Sequence, residues 1–178
     1  MVRCFVGYLL PEEVKNEIVE LQNRIEKWPL KCKFVEIENL HINFSFLGEI
    51  DENQINEISK KIDYIGGKFD KFEIEIDGLI AIPSPNYIRV LALSIFENEF
   101  LKRVFREVVK EIGGDSKPPH ITLCRVKSIE NKNEVKGRVE DEKNKTHGKF
   151  VIDKIQLIKS ELSKSGPIYS IIHQAEFS

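Results

Sequence analysis

Two short stretches of this 178-residue chain repeat one pattern. His41-Ile42-Asn43-Phe44 and His120-Ile121-Thr122-Leu123 each set a histidine two residues before a small hydrogen-bonding side chain, with apolar residues between and after. Successive side chains of a β-strand point to opposite faces, so the pattern predicts two strands with one face buried and a histidine on the other. On this reading His41, Asn43 and Ser45 share one face, and Ile42, Phe44 and Phe46 the other. His120 and Thr122 likewise face out, with Ile121 and Leu123 buried behind them. The histidines are 79 residues apart (120 − 41), close to half the chain. The predicted fold is therefore a duplicated α+β unit: two pseudo-twofold-related antiparallel sheets with outer helices and a central groove fed by one histidine from each half. All of residues 1–178 are expected to form one domain of two lobes.

The flanking sequence agrees with strands and helices in alternation. Residues 2–9 read as a strand, and Pro11-Glu12-Glu13 suits a helix start. Val14, Ile18, Leu21, Ile25 and Trp28 then mark the buried face of a helix running to about residue 28. Residues 32–37 and 40–47 alternate as strands, the second ended by Gly48. Asp51 is the predicted N-cap of a helix that carries Ile55, Ile58, Ile62 and Ile65 and stops at Gly66-Gly67. Strands are expected over 71–82 and 87–96, around a Ser84-Pro85-Asn86 turn, and a helix over 98–112. Gly113-Gly114 closes that helix, and two prolines disfavour helix just before His120. The polar stretch 128–147 reads as a short helix in a loop. Strands over 149–159 and 168–177, turned at Ser165-Gly166-Pro167, finish the chain.

Several classes of protein are disfavoured. A formal net charge of −2 lacks the basic excess of a chain that grips long nucleic acid through many phosphates, though a local positive pocket for one phosphate remains compatible. The opening apolar run is broken by Arg3 and closed by Pro11, too short for a membrane span or a secretory core, so a cytoplasmic protein is expected. Cys4, Cys32 and Cys124 form no CxxC and no zinc spacing, which predicts buried thiols and no metal site. His147 and His173 lie in no motif and are expected to be structural.

A pair of imidazoles, each beside a hydrogen-bonding neighbour on a strand, suits acid and base catalysis on a phosphate ester. Near neutral pH one imidazole can be neutral while the other is protonated, since the ordinary pKa is about 6.5. The opening RCFVGYLLPEEV, the segments ENLHINFSFLGEI and PPHITLCRV, and the tail ELSKSGPIYS together resemble the 2H phosphoesterase superfamily. Within it they are most similar to the RNA 2',3'-cyclic phosphodiesterases, historically called 2'-5' RNA ligases.

That resemblance implies a bilobal α+β fold and a metal-independent, cofactor-free hydrolase acting on RNA 3' ends that bear a 2',3'-cyclic phosphate and leaving a 2'-phosphomonoester. It casts His41 as proton donor to the leaving ribose oxygen and His120 as proton acceptor from water, labels that the near-symmetry of the two motifs leaves exchangeable, with Thr122 donating to a phosphate oxygen. Reversal would join such an end to a 5'-hydroxyl. Asn43 departs from the family's threonine or serine, though its amide can still donate a hydrogen bond. Arg125 matches a phosphate-contacting arginine, yet strict alternation turns it away from His120 unless a bulge or a strand end intervenes. Phe5 matches an aromatic position suited either to stacking on a base or to packing in the core. No obligate protein partner is expected, and the chain is expected to be a monomer. The alternatives are a phosphodiesterase for small cyclic nucleotides or 2'-5' oligoadenylates, and an RNA-end binding protein without catalysis.

Overall fold

Polar caps and short turns punctuate the chain into nine strands and four helices. The computed structural model describes all of residues 1–178. In chain order the elements are β1 (Val2–Leu9), α1 (Glu12–Glu26), β2 (Leu30–Phe34), a 3-10 turn (Ile37–Asn39), β3 (His41–Ile50), α2 (Glu52–Gly66), β4 (Phe72–Ser84) and β5 (Tyr87–Ile95). There follow α3 (Glu99–Glu111), β6 (His120–Ile129), α4 (Lys132–Glu142), β7 (Lys149–Ile152), β8 (Lys154–Ser163) and β9 (Gly166–Glu176). Pro11 and the acidic pair Glu12 and Glu13 open α1. Asp51 and Gln54 form a reciprocal capping box at α2, and Asn98 and Asn131 cap α3 and α4 through the backbone amides of Leu101 and Glu134. Each such cap is worth about 1 kcal/mol. No helix is long and apolar enough to cross a membrane.

The strands form two antiparallel sheets, ordered β3-β1-β8-β9 and β2-β6-β5-β4-β7. The first has the same order of roles as the last four strands of the second: a motif strand (β3 or β6), its inner neighbour (β1 or β5), and a pair beyond. The helices cross over. α1 follows β1 but packs on β2, β6 and β7 of the other sheet, whereas α3 follows β5 but packs on β3. One core of 40 buried residues, including Val6, Ile18, Phe44, Ile62, Leu91 and Ile121, joins both sheets.

Several sequence expectations change here. The sheets do not coincide with the halves of the chain: β2 from the first half edges the second sheet, and the β8–β9 hairpin from the second half completes the first. The strand expected over 149–159 is in fact two, β7 in one sheet and β8 in the other, parted at Asp153. Gly48 does not end its strand. It adopts φ +73 where the β1–β3 register slips, and β3 continues to Ile50. Glycine tolerates that conformation at little cost. The expected strand 32–37 is β2 followed by the 3-10 turn. Cys4 and Cys124 are buried free thiols, while Cys32 is half-buried.

A seam of hydrogen bonds ties the loop before β6 to β3. Phe46 and Asp115 exchange two backbone bonds of 2.8 and 2.9 Å, Ser45 Oγ donates to the Gly113 carbonyl at 2.6 Å, and Ser116 Oγ donates to the Phe44 carbonyl at 2.8 Å. Gly114, at φ +91, leaves no room for a side chain: a Cβ would sit 2.3 Å from Ser45 Oγ and 2.7 Å from the Phe46 carbonyl. Gly114→Ala is expected to lower stability by about 1–3 kcal/mol, from the strained backbone and the displaced seam. An unchanged thermal unfolding midpoint would contradict this role.

Candidate active site

The two motif strands carry the same irregularity. The β1–β3 register passes from Val6 opposite Ser45 to Gly7 opposite Asn43, so Phe44 is an extra residue. The β5–β6 register passes from Leu91 opposite Cys124 to Ala92 opposite Thr122, so Leu123 is an extra residue. Such bulges put two successive residues on one side and shift the alternation beyond them. In β3 both Phe44 and Ser45 are buried, and in β6 both Leu123 and Cys124. The expected faces therefore hold only up to the bulge. Ser45 turns inward to Gly113, Phe46 turns out beside His41 and Asn43, and Arg125 comes to the same cavity as His120 and Thr122. The bulge that Arg125 required is present.

His41, Asn43, His120, Thr122, Arg125 and Phe5 all line one cavity of about 430 Å³ between the sheets, together with Arg3, Phe46 and Tyr169. A second cavity of about 1040 Å³ opens from the same centre and shares Asn43, His120, Thr122 and Arg125. The groove thus has a narrow arm on the His41 side and a wide arm running along β5 and α3. His147 and His173 line neither. His147 is 3% exposed near Glu17, and His173 pairs with Asp63 across β9 and α2 at 2.7 Å.

Each motif imidazole is held in the same way. His41 Nδ1 lies 2.7 Å from the Asn39 carbonyl, and His120 Nδ1 lies 2.9 Å from the Pro118 carbonyl, in both cases two residues upstream. A carbonyl only accepts, so Nδ1 carries the proton in both rings and Nε2 is left as the nitrogen available to a ligand. Asn39 is itself buried and donates from Nδ2 to the Pro167 carbonyl at 2.8 Å, which anchors His41 to the β8–β9 hairpin. The His41 ring is further packed by Phe5, with centroids 4.8 Å apart, and edge-to-face by Tyr169 at 5.4 Å.

Burial pushes the His41 imidazole below its ordinary pKa. Its hydrogen bond to Asn39 works against that shift, and the nearby His120 and Arg125 add to it. The free ring is accordingly neutral at neutral pH. Asn43 Oδ1 is buried without a hydrogen-bond partner. Nowhere in the chain do three or more His, Cys, Asp or Glu side chains form a cluster able to hold a metal ion.

A cavity that presents two Nε2 atoms, a hydroxyl, an amide and a guanidinium can bind an oxyanion and move protons on either side of it. Comparison with known proteins identifies the family. The model of LigT-like phosphoesterases matches residues 9–92 and 98–169. The chain belongs to this family. It is similar to a protein of Methanocaldococcus jannaschii named RNA 2',3'-cyclic phosphodiesterase, at 35% identity over 97% of this chain and 99% of the relative. An Aquifex aeolicus protein of the same name is 32% identical over 98% of this chain and 96% of its own length. Among solved structures, a Thermus thermophilus protein superposes with a TM-score of 0.80 at 23% identity, over 98% of this chain and 97% of that one. Escherichia coli LigT complexed with 3'-AMP gives a TM-score of 0.79 at 19% identity, over 99% of this chain and 98% of that one. The chain is thus an enzyme of the phosphoesterase class.

Sequence reasoning did not single out Arg3, Phe46, Asn39 or Tyr169. Arg3 and Tyr169 lay in segments that carried the resemblance, but nothing in their spacing signalled a site. The Arg3 guanidinium sits 4.8 Å over the Phe46 ring. Phe46 occupies in β3 the place that Arg125 occupies in β6, so a cation reaches the groove on both sides by different routes.

The state of His41 is directly measurable. Its NMR titration is expected to fall below the ordinary value of about 6.5 in the free protein and to rise when inorganic phosphate is added, because an anion beside a buried imidazole favours the charged ring. A free value at or above 6.5, or no response to phosphate, would contradict the burial and the position of the anion site.

Proposed function

We propose that this phosphoesterase hydrolyses terminal 2',3'-cyclic phosphates of RNA to 2'-phosphomonoesters by metal-independent acid and base catalysis between His41 and His120. The observation that carries the reading is the matched pair of imidazoles, each with Nδ1 fixed to a backbone carbonyl and Nε2 free, lining one cavity with Thr122 and Arg125. The names of the most similar relatives and the bound 3'-AMP of a structural neighbour support the substrate class.

In this mechanism the cyclic phosphate lies at the junction of the two arms. The terminal nucleoside occupies the narrow arm beside His41, and water enters beside His120. His120 Nε2 takes a proton from that water as its oxygen bonds to phosphorus. The phosphorus–O3' bond breaks, and His41 Nε2 gives its proton to the leaving O3'. His41 is neutral in the free protein, so it takes up that proton as the anionic substrate arrives, which stabilises the imidazolium in a setting where burial strengthens Coulomb attraction. Thr122 Oγ1 and Arg125 donate to the non-bridging oxygens, and the Asn43 amide takes the place that a hydroxyl holds in the family pattern. Phe5, 4% exposed, offers no open face to a base; it acts as a support for the His41 ring. With a 5'-hydroxyl in place of water, the same proton transfers in the same direction give a 2'-5' linkage: His120 takes the hydroxyl proton as O5' bonds to phosphorus, and His41 protonates the leaving O3'.

Two measurements test this reading. A cyclic-phosphate-ended oligonucleotide is expected to be hydrolysed in EDTA, and turnover only on adding a metal would contradict the mechanism. His41→Ala and His120→Ala are each expected to lower kcat by roughly 10²–10⁴, while Asn43→Thr retains activity within about tenfold because a donor remains. Near-normal turnover of either alanine variant would remove that histidine from the scheme.

A further inference from the structure

One side chain on the apolar face of α1 is an amide. Ile18, Leu21, Gln22 and Ile25 stand at the three- and four-residue spacing that turns toward a core, and Gln22 is 7% exposed among neighbours that are fully covered. A buried amide costs stability unless its hydrogens find acceptors, so its partners define what it does. Gln22 Nε2 donates to the Leu123 carbonyl and to the Val35 carbonyl, each at 3.0 Å. Both partners can only accept, and both amide hydrogens are used. Val35 closes the triangle, its backbone N–H donating to the Leu123 carbonyl at 2.9 Å.

Leu123 is the extra residue of the β6 bulge. Arg125 lies two positions beyond it and reaches the groove because the bulge shifts the alternation. Val35 lines the narrow arm together with Arg125. Gln22 therefore fastens the bulge residue to the wall of the groove, from the helix that packs on this sheet. The β3 bulge has a counterpart, since Ser45 Oγ donates to the Gly113 carbonyl just past α3. α1 belongs to the first half of the chain and α3 to the second, so each motif strand is held at its bulge by a group from the opposite half.

We infer that Gln22 is a positioning residue for Arg125: its two hydrogen bonds hold the Leu123 bulge in the register that aims the guanidinium at a bound anion. This deepens the proposed hydrolysis and rests on it for the role of Arg125 as a ligand to phosphate oxygens.

A double-mutant cycle on the affinity for inorganic phosphate, followed by NMR titration, tests it. Gln22→Met keeps the unbranched length and removes both donors. Arg125→Ala is expected to weaken phosphate binding about tenfold, the scale of a hydrogen bond to a charged group. Gln22→Met alone should weaken it about threefold or more, but less than about twofold in the Arg125→Ala background, where the group it aims is gone. Combined with Asn43→Ala, on the other sheet, Gln22→Met should cost the same factor as in wild type, whereas a general loosening of the site would couple to both. If Gln22→Met does not fold, Gln22→Asn takes its place in the cycle: it keeps the donors but is a methylene too short to reach both carbonyls. Unchanged phosphate affinity in the Gln22 variant, or a penalty that survives intact without Arg125, overturns the inference. A wild type that binds no phosphate removes the anion site and the inference with it. No turnover of a cyclic-phosphate-ended oligonucleotide, with the phosphate cycle as expected, overturns the hydrolase reading and leaves the positioning role standing.

Discussion

The seam between β3 and the loop that leads into β6 is the constraint on which the site depends. The two histidines enter from different sheets, so their relative place depends on what fixes one sheet against the other. Hydrogen bonds add a directional constraint to the packing of the shared core, because their geometry worsens steeply away from the optimum. The paired backbone bonds of Phe46 and Asp115, with the Ser45 and Ser116 hydroxyls on either side, lock the first motif strand to the approach of the second. His120 begins β6 a few residues after this anchor, so its place relative to His41 is set by covalent geometry from there. A displacement of about 1 Å at such a pair can cost on the order of 10²-fold in rate, which gives the positive-φ Gly114 a consequence for chemistry as well as for stability.

The matching bulges at Phe44 and Leu123 show how a duplicated unit is turned into an asymmetric site. Both strands present a histidine, a hydrogen-bonding residue, and then a residue re-aimed by the bulge. In β6 that residue is Arg125, a direct oxyanion ligand by type. In β3 it is Phe46, whose ring instead carries the guanidinium of Arg3. The His41 side is also the more enclosed, with Phe5 and Tyr169 packed on the imidazole. Burial depresses the pKa of His41. Near-identical motifs thus acquire different electrostatic settings, which suits the proposed roles of proton donor and proton acceptor.

Much of this was legible in the sequence, and the misses have common physical causes. Alternation in β3 and β6 identified His41, Asn43, His120 and Thr122 as facing one groove, and apolar spacing located α1, α2 and α3. Local patterning says nothing about which sheet a strand joins, so the assignment of β2 to one sheet and of β8 and β9 to the other was not readable. The break at Asp153 was hidden for the same reason, since Lys149–Ile152 and Lys154–Ser163 read as one apolar-rich strand with no glycine or proline between them. Bulges are set by tertiary pairing, and the faces of Ser45, Phe46 and Arg125 followed them rather than strict alternation. Tyr169 and Arg3 reach the groove from strands with no motif of their own, so only the assembled cavity reveals them.

The proposed mechanism requires proton transfer at two imidazoles on opposite sides of one phosphorus atom. The dependence of kcat/KM on pH in wild type and in the two single alanine variants addresses that claim most directly. Wild type is expected to give a bell from the coupled pair, and each variant, followed through its residual activity, should keep only one limb. A bell that survives intact in either variant would show that other groups carry the protons, and the two-histidine account would fail.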